Sequence, residues 1–315
     1  MNTSSVSDSY AAKRPSFFAN TSFLITIMVL YPLTGALLLT LVHGGTPVSG
    51  SLLRPDKSML PIIRMVQSAG EFLILAVPVL FFAARHTGGK NPFSQESLAF
   101  LGIGKKVDFR EIVFGLCGIL LLQPLLLTLT AVQDLYLWPL LGDAGAEVIL
   151  QRDVMESFIR HLALVRNFPE FVLVAFVLAL TPAVCEELFF RGYIQQNYTR
   201  SISSGGAVLL TGFVFAFFHL SAANLLPLAL LGWYIGYIYN RTGNLAVPFF
   251  LHFINNLAAL LLLLFTEAGD AAMGIRFESM VTLPWWWLIV LGSFFLFVKV
   301  ILLFRGSLPS TGKLL

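Results

Sequence analysis

Apolar residues in this chain do not alternate with polar ones but run in blocks of roughly helical-span length, the size that about 20 residues need to cross a bilayer. The blocks fall at about 17–43, 60–84, 111–141, 168–196, 205–222, 224–240, 244–266 and 282–304. Segments inside lipid must satisfy their own backbone groups, which leaves helices or closed barrels, and unbroken apolar runs are unlike the alternating strands of a barrel. The pattern therefore predicts an all-α, polytopic integral membrane helix bundle of about eight transmembrane helices. Blocks five and six are joined by little more than Ser221 to Asn224. Pro124 and Asp134 in the third block and Pro182 in the fourth mark kinks or breaks that would change the tally by one.

Composition agrees with the blocks. Of 315 residues 57% are apolar and only 12% charged, with a mean hydropathy of +0.81, against the roughly 25% charged of soluble domains. The net charge of +3 is small, and no nucleic-acid partner is expected. Cys117 and Cys185 both lie in apolar blocks and form neither a disulfide framework nor a zinc-finger spacing. The first apolar run is too long for a signal-peptide core, so it reads as a retained span. The expected organisation is a polar tail over 1–16, one transmembrane domain over 17–305 and a second tail over 306–315.

Charge sets the orientation. With eight spans both termini share a side, and that side collects Lys13, Arg14, Arg85, Lys90, Lys105, Lys106, Arg110, Arg200, Arg241, Arg305 and Lys313. The positive-inside rule places it in the cytoplasm. The opposite loops carry Asp143, Glu147, Asp153 and Glu156, although Arg54 and Lys57 run against the trend. In the 85–110 loop a short interfacial helix is expected over Ser94 to Leu101, and 142–167 has the helical spacing of a segment lying along the surface. Trp285, Trp286 and Trp287 open the last block where an aromatic belt sits.

Against this background the polar groups at membrane depth concentrate between Glu186 and Asn256. A charge at the bilayer centre costs about 2.5–3.5 kcal/mol on insertion scales, so a cluster needs partners or a function. In CEELFFRGY, Glu187 and Arg191 are four apart and face each other across one helical turn. Glu186 is rotated by about 100° from its neighbour and its charge is not cancelled within the helix. An unpaired carboxylate in apolar surroundings suits proton transfer near neutrality. His219 stands among aromatics in TGFVFAFFHLSA, and His252 and Asn256 share a face in LHFINN, with Asn255 on another. Each alone has a plain structural reading as a hydrogen bond between helices. Together, Glu186, His219, His252 and Asn256 come from three helices and point to one interior site. A carboxylate and a histidine can activate water there while a histidine and an asparagine meet an oxyanion. Glu71, in the second block, is a further buried carboxylate, expected to bond between helices.

These residues carry a resemblance. EELFFR fits E-E-x-x-x-R, FAFFH fits F-x-x-x-H and HFINN fits H-x-x-x-N, the three motifs, in order, of the CAAX protease and bacteriocin-processing family. The Gly-punctuated stretch LGWYIGYIYNRTGNLAVPFFLH is similar to the family's link between its second and third motifs, and the resemblance covers about residues 180 to 257. It implies an intramembrane endopeptidase of the type II CAAX prenyl protease kind, with its catalytic core at about 168–266. Glu186 and His219 would activate the water, His252 and Asn256 would stabilise the oxyanion, Glu187 and Arg191 would position the motif helix, and Phe215 would pack beside the site.

The family is often labelled a metalloprotease, and this chain has no H-E-x-x-H. Glu186, His219 and His252 have the makeup of a zinc site with two histidines and one carboxylate, yet the same set works without metal. No cofactor is thus certain, and zinc or another divalent ion stays open. The expected partners are membrane lipid and a peptide or lipidated-protein substrate; the expected location is a prokaryotic cell membrane. A thiol protease built on Cys185 is disfavoured by its apolar surroundings. A transporter or proton relay, or a non-catalytic immunity or scaffold protein, remains the alternative to a protease.

Overall fold

The computed structural model describes residues 14–42, 58–89, 91–269 and 277–307. Lys13, Arg54, Lys57, Lys90 and Lys313 lie outside these residues, as does most of both tails. The described chain is built of helices: α1 (Phe17–Val42), α2 (Leu60–Thr87), α3 (Gln95–Phe100), α4 (Phe109–Leu140), α5 (Asp143–Leu162), α6 (Phe168–Tyr198), α7 (Ser204–Phe218), α8 (Leu225–Thr242), α9 (Ala246–Gly269), α10 (Phe277–Met280) and α11 (Pro284–Ser307).

All eight apolar blocks are helical. Six of the helices (α1, α2, α4, α6, α9 and α11) are long and apolar enough to cross a membrane. The difference from eight lies in α7 and α8. At 1.5 Å per residue the 15 residues of α7 reach about 22 Å, short of a hydrocarbon core of about 30 Å. The last residues of its apolar block, His219 to Ala222, have left the helix.

Start signals and breaks follow local chemistry. Asp108, Asn167 and Ser203 cap α4, α6 and α7 by accepting from the backbone N–H groups of Arg110, Glu170 and Gly206. Three helices loosen into a π turn directly before a proline: Phe72–Ala76 ahead of Pro78, Gln133–Leu137 ahead of Pro139, and Phe176–Leu180 ahead of Pro182. Proline lacks an N–H and clashes with the carbonyl four residues back, and the extra residue of a π turn takes up that clash without ending the helix. Pro124, by contrast, sits inside an unbroken stretch of α4. A fourth π stretch, Leu188–Gln195, follows the glutamate pair and contains no proline.

The innermost helix is α6. Over its most apolar window 39% of residues are buried, against 11% in α1 and α11, which face lipid. It packs against α9 on one side, α2 on another and α7 along its second half. At the end of α6, Arg14 lies over the Phe100 ring at 4.0 Å and donates to Asn197 Oδ1 at 3.0 Å, while Asn20 Nδ2 donates to the Ile194 carbonyl at 3.1 Å. These contacts tie α1 and α3 to the motif helix. Arg200 donates to the Arg14 carbonyl at the same end.

The expected peripheral helices are present. α3 is capped by Ser94 but buries Ser97, Phe100 and Leu101 against the bundle. α5 carries Arg152, paired with Asp134 at the end of α4. Of the three tryptophans, Trp285 and Trp287 are exposed as belt residues, whereas Trp286 turns inward and donates to Thr128 Oγ1 at 2.8 Å.

Candidate active site

α6 is interrupted by no loop as it carries Glu186, Glu187 and Arg191 past α9, α7 and α8. Glu187 and Arg191 are both fully buried, and Arg191 Nη1 donates to Glu187 Oε1 at 2.9 Å. The same oxygen accepts from His252 Nδ1 at 2.8 Å. Arg191 Nη2 donates to the Gly232 carbonyl of α8 at 3.1 Å, and its guanidinium lies 4.5 Å over the Phe215 ring of α7. One carboxylate oxygen thereby joins α6 to α9, and one guanidinium joins it to α7 and α8.

The approach of α8 depends on glycine. Gly212 of α7 and Gly232 of α8 touch backbone to backbone: a Cβ on Gly232 would stand 3.0 Å from the Gly212 carbonyl oxygen and 3.1 Å from its Cα. A bare helix surface leaves the Gly232 carbonyl open to Arg191 as well as to its own helix. One turn further on the arrangement repeats, with Gln195 Nε2 donating to the Gly236 carbonyl at 3.0 Å. Arg191 and Gln195 on α6 thus match Gly232 and Gly236 on α8, each pair four residues apart.

Phe215 is the ring shared by the site. Its centroid is 4.8 Å from that of His219 and 5.8 Å from that of His252, and Phe190 meets it edge-on at 5.3 Å. Its carbonyl lies 2.8 Å from His219 Nδ1. A carbonyl can only accept, so Nδ1 carries the proton and Nε2 of the neutral ring is the nitrogen with a free lone pair. Likewise Glu187 claims Nδ1–H of His252 and leaves Nε2 for other work. Both imidazoles are oriented through Nδ1, one by a carbonyl and one by a carboxylate.

Glu186 stands apart from this network. It is 8% exposed, and its Oε2 has no hydrogen-bond partner. No hydrogen bond joins it to His219. Asn256, one turn beyond His252 on α9, is half-buried and makes no side-chain hydrogen bond among the described residues, whereas Asn255 faces α4 and accepts from Gln123. His219 closes α7 and is half-buried; the residue after it, Leu220, adopts φ 50°. Glu71 is buried, but no hydrogen bond runs from it to another helix among the described residues, and its Oε2 has no partner.

Among the described residues no three His, Cys, Asp or Glu side chains are gathered as a metal ion requires. The combination of Glu186, His219 and His252 that the sequence allows as a ligand set is not assembled. Cys185 is buried.

Two features were not foreseen from spacing. Glu187 meets His252 as well as Arg191, and the Gly232 and Gly236 carbonyls receive the polar face of α6. The second has a sequence signal, two glycines four apart on α8 opposite a polar pair four apart on α6. The first has none, because it joins residues 65 positions apart.

Comparison with known proteins adds one match. Residues 168–258, a little over a quarter of the chain, fit the family model described as Type II CAAX prenyl endopeptidase Rce1-like. No curated protein and no solved structure matches the chain. The matched residues run from the start of α6 into α9 and enclose all three motifs, so that this part of the chain is similar to the Type II CAAX prenyl endopeptidase Rce1-like family.

Proposed function

We propose that this integral membrane protein hydrolyses a peptide bond at the α6–α7–α9 site, with Glu186 as the base. The observation that carries this reading is the unequal treatment of neighbouring carboxylates: Glu187 is held through Oε1 by Arg191 and His252, its Oε2 being unpartnered, while Glu186 is buried and makes no hydrogen bond or ion pair at all among the described residues. In the reaction Glu186 takes a proton from water that His219 Nε2 orients, and the oxygen attacks the scissile carbonyl. The Asn256 amide donates to the resulting oxyanion, and so does His252 Nε2–H when the ring, donating through Nδ1 to Glu187, is the imidazolium with both nitrogens protonated. The proton on Glu186 then passes to the leaving amine as the C–N bond breaks. No step is routed through a metal.

The family points to a prenylated CAAX-type C-terminus or another lipid-associated peptide as substrate, reached from the bilayer. The end of the molecule bearing Arg14, Lys105, Arg200, Arg241 and Arg305 faces the cytoplasm in this reading, the cell membrane is prokaryotic, and residues 17–305 form one domain. The test is cleavage of a prenylated CAAX peptide by purified protein in detergent. Glu186→Gln is expected to lower kcat by about 10²–10⁴-fold, the usual worth of a general base, and chelator dialysis is expected to leave wild-type turnover intact. Undiminished cleavage by Glu186→Gln overturns the assignment, and loss to chelator restored only by zinc overturns its metal-free form. Proton flux in liposomes that needs Glu186, without cleavage, replaces it by a proton relay.

A further inference from the structure

The end of α2 forms a groove outside the α6–α7–α9 site. Phe81, Phe82, Ala84 and Arg85 from its last turns, with Gly88 and Gly89 from the turn that follows, enclose a cavity of about 460 Å³, a size that takes small ligands. Its back wall is fixed to other helices. The Phe82 ring meets Phe23 of α1 edge-on at 4.9 Å, lies 6.2 Å from Tyr193 of α6 and stacks on His86 at 6.4 Å. His86 Nε2 and the Tyr193 hydroxyl share a hydrogen bond of 3.0 Å. The outer wall is apolar and open, with Phe81 63% exposed. The mouth carries no side chain: Gly88, at φ 73°, and Gly89 donate their N–H groups back to the Arg85 and Ala84 carbonyls. Arg85 is exposed, and its guanidinium makes no hydrogen bond or ion pair among the described residues.

Length places the groove in the membrane. α2 has 28 residues, about 42 Å at 1.5 Å per residue, against about 30 Å of hydrocarbon and 40–45 Å with the headgroup layers. Arg85, in the last turn, therefore stands among headgroups, and Phe81, one turn deeper, among acyl chains. A guanidinium pairs with phosphate through two parallel N–H bonds. None of the lining residues is acidic, so nothing in the groove neutralises Arg85 or holds the ammonium of a zwitterionic head. We propose that this groove binds an anionic phospholipid, with its phosphate on Arg85 and an acyl chain along Phe81 and Phe82. Basic pockets between spans hold such headgroups. Lipid binding here is independent of the hydrolytic reading, and its test reads lipid rather than cleavage.

An arginine in the last turn of a span also complements the helix dipole and the charge bias of its side, with no lipid needed. Arg305, likewise exposed in the last turn of α11, is the matched control. Native mass spectrometry measures what purified protein in neutral detergent retains when titrated with phosphatidylglycerol, phosphatidylcholine or glycerol phosphate, the last being the headgroup without chains. Wild type is expected to bind phosphatidylglycerol about fivefold more tightly than phosphatidylcholine and to retain no glycerol phosphate. Arg85→Gln is expected to weaken phosphatidylglycerol about tenfold, the scale of a hydrogen bond to a charged group. Phe81→Ala is expected to weaken it about threefold through lost apolar contact, and Arg305→Gln less than about twofold. The fold should tolerate all three replacements of exposed side chains, with monodispersity in detergent as the check. Unchanged affinity in Arg85→Gln overturns the site, and so does an equal loss in Arg305→Gln, which would mark a general effect of surface charge. Phosphatidylcholine bound as tightly as phosphatidylglycerol overturns the preference for an anionic lipid. Glycerol phosphate held as firmly as phosphatidylglycerol, or unchanged affinity in Phe81→Ala, takes the acyl chain out of the groove and overturns the lipid as its occupant.

Discussion

Around Glu187 one carboxylate oxygen draws in Arg191 and His252 and the guanidinium reaches the Gly232 carbonyl, with the Phe215 ring as a lid over it, although Glu187 Oε2 and Arg191 Nε have no partner. Around Glu186, His219 and Asn256 the polar atoms that the proposed chemistry needs are free of bonds to one another. In an apolar bundle, buried polar groups are normally satisfied, and an exception asks for an explanation. The comparison teaches a division of labour: the bonded wall fixes α6, α8 and α9 relative to one another, and the unbonded wall is where a substrate and its water are received.

The largest effect expected from this division is on stability. Arg191→Met leaves Glu187 buried without its cation, which typically costs about 3–5 kcal/mol, whereas the double replacement Glu187→Leu with Arg191→Met regains most of that because no orphan charge remains. Glu186→Gln, on the unbonded wall, is expected to cost less than about 1 kcal/mol, a change away from any bonded network. Unfolding in detergent measures all three. Equal losses for Arg191→Met and Glu186→Gln would erase the distinction between the walls.

A smaller effect is expected one contact further out. Gly232→Ala drives a Cβ against the Gly212 backbone, and since neither partner is a flexible side chain the two helices must part, at about 1–3 kcal/mol. Moving α8 lengthens the bond from Arg191 to the Gly232 carbonyl, so kcat falls along with stability while the unbonded wall keeps its residues. The control is Gly292→Ala on α11, where an added Cβ meets nothing within 4 Å. A Gly232→Ala protein as stable as that control would show that the close crossing does not hold Arg191.

These outcomes follow how far the chain could be read in advance. The pairing of Glu187 with Arg191, the different face taken by Glu186 and the separation of Asn255 from Asn256 were all legible, because helical periodicity alone decides them. The helical identity of the eight apolar blocks was legible for the same reason. Hydropathy does not report where a helix stops, so α7 was read through His219 to Ala222 although it ends at Phe218. Nor does it tell a belt tryptophan from one that bonds Thr128. Prolines at 78, 139 and 182 signalled disturbance, but only packing decides between a kink, a break and a π turn. The Glu187–His252 bond joins separate helices, and nothing local encodes it.

The smallest expected effect tests the end of α7, where His219 is aimed. Leu220 is 66% exposed and holds φ 50°, a conformation that costs a residue with a Cβ about 1–2 kcal/mol. Glycine adopts it freely but adds about 0.5–1 kcal/mol of unfolded-state freedom, so Leu220→Gly should stabilise the protein by roughly 0.5 kcal/mol, a shift measurable by thermal unfolding. His219 is tied back to the Phe215 carbonyl one turn earlier rather than to the turn that follows it. The imidazole therefore keeps its direction when Leu220 relaxes, and kcat should change less than about threefold, which is below 1 kcal/mol in the barrier. A tenfold fall in kcat without loss of stability would mean that the strained turn, and not the Phe215 carbonyl, sets the direction of His219, and that the unbonded wall has a support of its own.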